Sequence, residues 1–275
     1  MFEYTFPPLP LSKWQATRDT LAVYSKVLGK IRAALTPRQK HWWHASLRVG
    51  ATGLTTTPIP ASRTIFELRL DFATHQMIAT TWQGKQWRTP LRGQSAAGFC
   101  DEVLSALSRL GIEVEIDRAQ FSDDAPRAYE SQWVKFYWQT LVQLDAVFKA
   151  FQGELRQETS PVQVWPHHFD LAMSWFSGRL VPGQDPNNEE YADEQMTFGF
   201  STGDDTIPAP YFYATAYPWP DGLVEAPLPD DAGWQTEGFT AAVMLYEALV
   251  QADRPVEKLL TFLRTVQQAG ASLMR

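Results

Sequence analysis

Two histidine-containing segments hold the side chains of this sequence whose types could do chemistry. They are His41-Trp42-Trp43-His44 and His167-His168-Phe169-Asp170. Histidine can act as a general base beside a carboxylate or as a ligand of a metal ion. Both segments have the pattern of extended chain, in which residues an odd number of positions apart point to opposite faces. A metal site therefore needs His44 and His168 to converge with carboxylates from separate strands, and a general base needs Asp170 to orient His44.

Further candidates for contacts with a ligand are charged or aromatic. Arg179 follows the turn Ser177-Gly178, and its guanidinium could clamp a carboxylate or phosphate group or form an ion pair with Asp170 or Glu194. No serine or cysteine lies in a recognised nucleophile motif. Cys100 occupies a helical position and is expected to be a small buried hydrophobic side chain. The candidate ligand-binding residues are His44, Asp170, Arg179, Glu194, Trp43 and Tyr213.

The sequence is rich in aromatic residues, with 11 Trp among its 275 residues. Several of them lie in or beside predicted strands, and two interpretations stay open. They line a ligand pocket, or they pack two halves of the protein against each other. The residues concerned are Trp42, Trp43, Trp165, Trp175, Tyr211, Tyr213, Tyr217 and Trp219.

Composition limits the partners that the protein is expected to have. The net charge is −7 and no Lys/Arg run is present, so neither a nucleic acid nor an anionic membrane is an expected partner. No apolar stretch approaches the roughly 18 residues of a membrane helix. The first ten residues lack the basic and apolar regions of a signal peptide, and a single cysteine allows no intrachain disulfide. We therefore expect a cytoplasmic protein.

The periodicity of apolar residues predicts the elements that must position these side chains. Apolar steps of three, four and seven residues predict one long helix from Trp14 to Leu35 and another from Tyr137 to Leu155. Pro37 ends the first helix. Shorter helices are predicted over 95–109, 238–251 and 255–270. Strands are predicted over 44–49, 66–72, 77–82, 112–116, 162–165, 168–176, 195–201 and 211–217, with a short one around Trp87.

The two halves of the chain resemble each other at a shift of 124 residues. Positions 14–58 and 138–182 share 11 identities in 45 positions without a gap, where average composition gives roughly 3. This predicts a tandem duplication with repeats over 1–122 and 123–275, although chance similarity between two amphipathic helices is the alternative. The predicted fold class is α+β. Each copy would be a long helix, an antiparallel β-meander and a closing helix, related by a pseudo-two-fold axis.

Strand alternation predicts which side chains share a face. In the first copy, Ala45, Leu47 and Val49 are expected to face the helices, with His44, Ser46 and Arg48 on the opposite face. The corresponding polar face of the second copy is predicted to carry His168, Asp170, Ser174, Gln195, Thr197, Tyr213, Thr215 and Tyr217. Three charged residues, Glu67, Arg69 and Asp71, are candidates to join from the first copy. A pseudo-dyad would bring the two polar faces into one cleft.

Several short motifs together resemble one known family. They are Ser160-Pro161-Val162, Phe169-Asp170-Leu171-Ala172, Phe176-Ser177-Gly178-Arg179 and Gly53-Leu54-Thr55-Thr56, together with the first histidine segment. In these motifs the chain resembles the bacterial DUF5996 family, a domain of unknown function, over nearly its whole length. The resemblance implies a cytoplasmic protein and names no activity.

The chain departs from the family pattern at three places. That pattern has His where this chain has Gln163, Trp-Gly-Ser where it has Pro166-His167-His168, and His where it has Asp193. Two histidines expected of a family site are thus absent, which weakens His168 as a functional residue. The candidates His44, Asp170, Arg179 and Glu194 agree better with the pattern.

Three functions remain open at this point. The first is a small-molecule-binding protein whose ligand lies in an aromatic-lined cleft between the repeats. The second is a metal-assisted hydrolase that uses His44, His168 and nearby carboxylates. The third is a structural or protein-interaction module without a pocket. The sequence identifies no cofactor, no reaction and no oligomeric state.

Overall fold

The computed structural model describes residues 3–188 and 190–274. The chain divides into two compact units. The first-sheet unit consists of Lys13–Val142 and Val164–Phe169, and the second-sheet unit consists of Met1–Ser12, Gln143–Gln163 and Asp170–Arg275. The predicted repeat boundaries, 1–122 and 123–275, remain a prediction.

The first-sheet unit combines helices with a six-stranded antiparallel sheet. Its sheet has the order β1-β2-β4-β5-β6, with β3 paired to β4. Helix α1 (Leu11–Leu35) precedes the strands and α2 (Ala96–Arg109) follows them. The strands are β1 (Arg48–Gly50), β2 (Gly53–Thr55), β3 (Ile59–Ala61), β4 (Thr64–Asp71), β5 (Gln76–Thr81) and β6 (Gln86–Pro90).

The second sheet has six strands in the order β11-β12-β10-β9-β8-β7, and all of them except the last two residues of β7 belong to the second-sheet unit. Helix α3 (Ser131–Glu154) enters this unit at Gln143, and α4 (Tyr246–Val250) and α5 (Pro255–Leu273) follow the strands. The strands are β7 (Gln163–Trp165), β8 (Asp170–Leu180), β9 (Asp193–Ser201), β10 (Tyr211–Tyr217), β11 (Ala232–Gln235) and β12 (Ala241–Leu245). The α+β class is thereby confirmed.

Helices α1, α2, α3 and α5 form where the apolar periodicity predicts them. In α1 the side chains of Tyr24, Leu28 and Ile31 are fully buried, and Tyr24 stacks on Phe99 of α2 with ring centroids 3.9 Å apart. Helix α2 begins at an N-cap, because Ser95 Oγ accepts a hydrogen bond of 3.0 Å from the backbone N–H of Gly98. The predicted long helices and the helix over 95–109 are therefore confirmed.

Helices α3 and α5 cover one face of the second sheet. Phe151 of α3 packs edge-on against Phe198 of β9, with ring centroids 5.1 Å apart. Gly270 of α5 leaves room for the side chain of Met196, since a Cβ at position 270 would overlap its sulfur and methyl atoms. This close approach fixes the apolar face of the sheet and leaves the other face to polar side chains.

Three predicted elements are wrong. Residues 44–49 do not form one strand, because Lys40–Ala45 form a kinked 3-10 segment and β1 starts only at Arg48. Residues 112–116 form no strand. Within the helix predicted over 238–251, residues 241–245 form strand β12 and only 246–250 form a helix, the short α4. The apolar run Ala-Ala-Val-Met-Leu at 241–245 is compatible with either a helix or a strand. It forms a strand because it pairs with β10.

The structure does not confirm the duplication. At the shift of 124 residues, positions 48–55 correspond to 172–179. The first segment is a hairpin, in which Gly50 pairs with Gly53, whereas the second lies within the single strand β8. The helical part of the sequence match corresponds to helices α1 and α3. The rest of the match aligns a hairpin with a single strand, so the local structures differ there. The pseudo-two-fold relation between repeats remains a prediction.

Candidate functional site

The second sheet has a polar face opposite α3 and α5. Register places Ser174 beside Thr197 and Thr197 beside Thr215, and these three side chains are half-buried. The neighbouring residues Met173, Phe198 and Ala214 are buried on the helix side. This confirms the predicted alternation of strands β8, β9 and β10, because their side chains follow the regular two-residue period.

A hydrogen bond between Tyr213 and Asp170 spans the middle of this face. The Tyr213 hydroxyl, on β10, donates to Oδ2 of Asp170 at the start of β8. Strand β9 lies between them, and its residue opposite Tyr213 is Gly199. A Cβ at position 199 would overlap the ring and hydroxyl of Tyr213. The glycine therefore lets the tyrosine lie flat across β9 and reach the carboxylate.

The environment of Tyr213 fixes its protonation state. Burial, the negative charge of Asp170 and the hydrogen bond to it together raise the pKa of the Tyr213 hydroxyl well above its ordinary value. The phenol is thus neutral and donates at physiological pH. It cannot act as a tyrosinate base or nucleophile there, so its role in this pair is to hold and orient the carboxylate.

A second tyrosine on the same strand makes a similar contact. The Tyr211 hydroxyl donates to Oδ2 of Asp204 over 2.5 Å, and the rings of Tyr211 and Tyr213 lie 6.2 Å apart. Burial, followed by the hydrogen bond and charge of Asp204, raises the pKa of Tyr211. Asp204 also accepts hydrogen bonds from the backbone N–H groups of Thr206 and Ile207, which closes the turn before β10.

Hydroxyl groups continue the polar face along the strands. Ser174 Oγ and Thr197 Oγ1 are 3.1 Å apart and share a hydrogen bond, and Thr215 Oγ1 donates to the carbonyl of Thr240 over 3.1 Å. Ser160 Oγ accepts a bond of 2.7 Å from the backbone N–H of Ser174. Ser174 lies on β8, the same strand as Asp170, and Thr197 lies on the neighbouring β9. This hydroxyl pair can both donate and accept hydrogen bonds.

The same face becomes apolar towards the sheet edge. Register places Val243 of β12 beside Tyr213 and Leu245 beside Tyr211. Leu245 is 45% exposed, and Gly233 of β11, opposite Val243, has no atom within 4 Å of the place a Cβ would take. The face therefore changes from a carboxylate on β8 to an open aliphatic surface on β11 and β12.

Arg179 and Glu194 form a pair of their own at the far end of β8. Arg179 Nη2 and Glu194 Oε2 are 2.6 Å apart, and Arg179 is largely exposed. Gly178 before it has a positive φ of 87°, but the predicted Ser-Gly turn is wrong, because residues 177–179 lie within β8 at a shift in its register with β9. Of the two ion-pair partners that the sequence suggested, the one recorded in the structure is Glu194. Arg179 therefore has a carboxylate partner already.

His44 and Trp43 lie in the first-sheet unit, on the 3-10 segment Lys40–Ala45. His44 is buried, accepts a hydrogen bond at Nδ1 from the backbone N–H of Gln39 over 3.2 Å, and stacks on Trp42 at 5.5 Å. Trp43 faces Lys40, whose Nζ is 5.3 Å from the ring centre. The expectation that His44 and Ser46 lie on a polar face opposite a buried one is wrong, because both side chains are buried and His44 lies in a 3-10 segment, which does not alternate like a strand.

Arg32 is an important residue that sequence reasoning missed. It is 5% exposed, and its Nη1 donates to the carbonyls of Trp43, at 2.9 Å, and of Ser46. Burial, and then the positive charge of Arg48, lower the pKa of Arg32 to about 10. Arg32 therefore ties helix α1 to the segment that carries His44. The available signal was its position four residues after the buried Leu28 on the same helix face.

The predicted metal ligands are not gathered in one place within either unit. His168 and His167 are exposed, with ring centroids 4.3 Å apart, and they belong to the first-sheet unit. Among residues 3–188 and 190–274 no group of three or more His, Cys, Asp or Glu side chains could hold a metal ion. His44 and Asp170 belong to different units.

The carboxylates of the first sheet serve local structure. Glu67 accepts a hydrogen bond of 2.8 Å from Thr55, and Asp71 accepts bonds from Thr52 and Thr74.

Cys100 is buried, and burial raises the pKa of its thiol, so the expectation of a small buried hydrophobic side chain is met.

These features define an α+β protein built on two antiparallel sheets, one of which presents a half-buried polar face. The chain belongs to the family of unknown function DUF5996, whose sequence model matches residues 6–275. No curated protein and no solved structure matches the chain. Among the described residues, no helix combines the length and the apolar character that crossing a bilayer requires.

Proposed function

We propose that the protein binds a small molecule on the polar face of the second sheet. The ligand would place hydrogen-bonding groups near Asp170 and the Ser174–Thr197 hydroxyl pair, and an apolar part over Val243 and Leu245. The sequence predicted a small-molecule ligand in a cleft between two repeats. The proposal keeps the small-molecule ligand and places it on the face of one sheet. A cytoplasmic location is part of the same proposal.

The observation that carries the proposal is the Tyr213–Asp170 bond across Gly199. Asp170 is only 7% exposed, and burying a carboxylate costs free energy unless it is hydrogen-bonded. A sheet face that served only packing would be more stable with apolar side chains. A glycine that is needed to let a tyrosine hold such a carboxylate is typical of a binding site whose polar groups are fixed in advance.

The chemistry of the face indicates the class of ligand. Hydroxyl and carboxylate groups on β8 to β10 recognise hydroxyl, amide or amine groups. The open space over Gly233 and the exposed Leu245 accept an aliphatic or aromatic part. A compound that carries both parts, such as a hydroxylated or amide-bearing aromatic, fits this gradient. The proposal assigns no reaction, since the neutral Tyr213 supplies no base.

The test is a screen for ligands followed by calorimetry on matched variants. A thermal-shift screen of polar metabolites would identify binders, and titration calorimetry would measure their dissociation constants. Tyr213→Phe should weaken binding about tenfold, because the carboxylate loses the bond that orients it. Tyr217→Phe is the control, since it removes a hydroxyl from the same strand whose partner is Gln184.

Two results would overturn the proposal. One is a screen without any binder. The other is a binder with equal affinity for wild type, Tyr213→Phe and Gly199→Ala, because such a ligand would not use the polar face.

A further inference from the structure

Arg32 near the end of α1 is a buried cation without a carboxylate partner. It is 5% exposed, and burial lowers its pKa only to about 10, so the side chain is positively charged at neutral pH. In the part of the chain that the structure describes, 3–188 and 190–274, no carboxylate pairs with Arg32. The sequence has no Asp or Glu from residue 20 to residue 66. Since buried arginines are rarely unpaired, this position calls for an anion.

The guanidinium of Arg32 is held through one of its three nitrogens. Nη1 donates to the carbonyl of Trp43 over 2.9 Å, to the carbonyl of Ser46 and, at 3.3 Å, to the hydroxyl of Ser46. Nε is buried without a hydrogen-bond partner, and no described residue accepts a bond from Nη2. Nε and Nη2 form the edge of a guanidinium that binds two oxygens of a carboxylate or phosphate group. The backbone therefore fixes the orientation of Arg32 and leaves this edge unused.

A second arginine approaches the same hydroxyl group. Arg48 Nη1 donates to Ser46 Oγ over 3.0 Å. The hydroxyl of Ser46 itself donates to the carbonyl of Trp43 over 2.9 Å, so its lone pairs are left for the two arginines. The positive charge of Arg48 adds to burial in lowering the pKa of Arg32. Two guanidinium groups thus lie beside one neutral hydroxyl, which satisfies donors but cannot balance charge.

Close packing holds this arrangement in place. A Cβ at Gly29, three residues before Arg32 on α1, would lie 2.7 Å from the side chain of Pro166 and 3.3 Å from the carbonyl of Ala45. The glycine therefore lets α1 approach the end of the 3-10 segment, and the two arginines are positioned before any ligand arrives. Arg48 is half-buried, so the arrangement reaches solvent on its side.

We propose that Arg32 binds an oxyanion, the carboxylate or phosphate group of a small molecule, through Nε and Nη2. Arg48 supplies a second positive charge to the same anion. A guanidinium that is already oriented loses little conformational freedom on binding, which favours this edge over an exposed arginine. Arg32, Ser46 and Arg48 all belong to the first-sheet unit, so the proposal does not depend on the ligand site of the second sheet.

The test follows the Nε–H groups of the whole chain by NMR, after isotopic labelling of its arginines. Sodium phosphate and sodium acetate are added separately at constant ionic strength, with chloride as the reference anion. The Arg32 signal, assigned by its loss in Arg32→Lys, should shift saturably because its N–H gains an acceptor. A purely structural Arg32 would give no such shift. A tighter response to phosphate would identify a phosphorylated ligand, and a tighter response to acetate a carboxylate.

Two variants test the contribution of the second arginine. Arg48→Gln should weaken the anion that wild type binds by at least about tenfold, because one of the two positive charges is lost. The Arg32 signal remains observable in this variant. Arg63→Gln is the matched control, since it removes an exposed arginine of the same unit in the turn between β3 and β4, and its affinity should equal that of wild type. Far-ultraviolet circular dichroism shows that each variant is folded.

Three outcomes would overturn the proposal. They are an Arg32 signal that neither anion shifts, a shift that grows with concentration without saturating, and equal affinity in wild type and Arg48→Gln.

Discussion

Two buried aspartates, one in each sheet, are held in different ways. Asp71 at the end of β4 accepts hydrogen bonds from Thr52 at 2.7 Å and from the backbone and hydroxyl of Thr74 at 2.9 Å. Its partners are all within 19 residues along the chain. Asp170 on β8 receives the hydroxyl of Tyr213, which is 43 residues away and reaches it across a third strand.

The difference separates a carboxylate that closes a turn from one that is presented on a sheet face. Asp71 is surrounded by short local donors and by Arg69, 3.6 Å away, so that its role is to fix the hairpin ends. Asp170 depends on a long side chain and on Gly199, whose only visible benefit is the room that it gives Tyr213. The local donors make Asp71 a structural carboxylate, and the long-range contact that needs Gly199 supports the proposed binding role of Asp170.

The largest expected effect comes from Gly199→Ala. The added methyl group overlaps Tyr213, which must move and lose its bond, so we expect the free energy of unfolding to fall by about 2–4 kcal/mol. Urea denaturation measures this change. The same substitution in a Tyr213→Ala background should cost much less. Equal costs in both backgrounds would show that Gly199 does not make room for Tyr213.

Asp71→Asn should have the next largest effect, a loss of about 1–3 kcal/mol. Burial alone would raise the pKa of Asp71, but hydrogen bonds from Thr52 and Thr74 and the charge of Arg69 lower it overall. A lowered pKa stabilises the fold above the pKa of an unfolded aspartate, about 3.9, and this contribution is lost as the pH falls through the folded value.

The difference in unfolding free energy between wild type and Asp71→Asn should therefore shrink as the pH is lowered. Urea denaturation at neutral and acid pH measures it. A constant difference would mean that the charge of Asp71 contributes nothing.

Tyr213→Phe should destabilise the protein by about 1–3 kcal/mol, at most as much as Asp71→Asn, because it removes one hydrogen bond to a carboxylate whereas Asp71 accepts three. The raised pKa of Tyr213 stabilises the fold below the ordinary tyrosine pKa, about 10, and this contribution disappears as the pH rises through the folded value. Wild type should therefore lose more stability than Tyr213→Phe in alkaline solution. Parallel alkaline denaturation curves of the two proteins would contradict this.

The smallest effect is expected at the Arg179–Glu194 pair. Exposed ion pairs contribute about 0–1 kcal/mol, so Arg179→Gln should change the unfolding free energy within that range and less still in high salt. A double-mutant cycle with Glu194→Gln measures the coupling. A large coupling that also affects ligand binding would extend the proposed binding site from Asp170 to this ion pair.

Most of the regular elements could be predicted from the sequence, since their patterns are local. The apolar periods of α1, α2 and α3 and the alternation in β4 and β10 appear directly in the chain. The 3-10 segment that carries His44 was not predictable, because His41 and Trp42 take left-handed conformations, with φ of 50° and 59°, that few residues adopt unaided. Buried Arg32 and its bonds to the carbonyls of Trp43 and Ser46 hold the end of that segment.

The candidate site shows the same division. Alternation predicted that Asp170, Thr197 and Tyr213 share a face, and the register confirms it. The pairing of Tyr213 with Asp170, and the need for Gly199 between them, depends on three strands that are distant in sequence.

The sequence by itself determined the α+β class, the long helices and the polarity of strands β8 to β10, because the periods of 3.6 and 2 residues are properties of the chain. The tertiary structure decided which carboxylate each tyrosine reaches, where Arg32 is buried and whether residues 241–245 are strand or helix. These outcomes depend on which strands become neighbours, and the free energy of such contacts exists only once the chain has brought distant residues together.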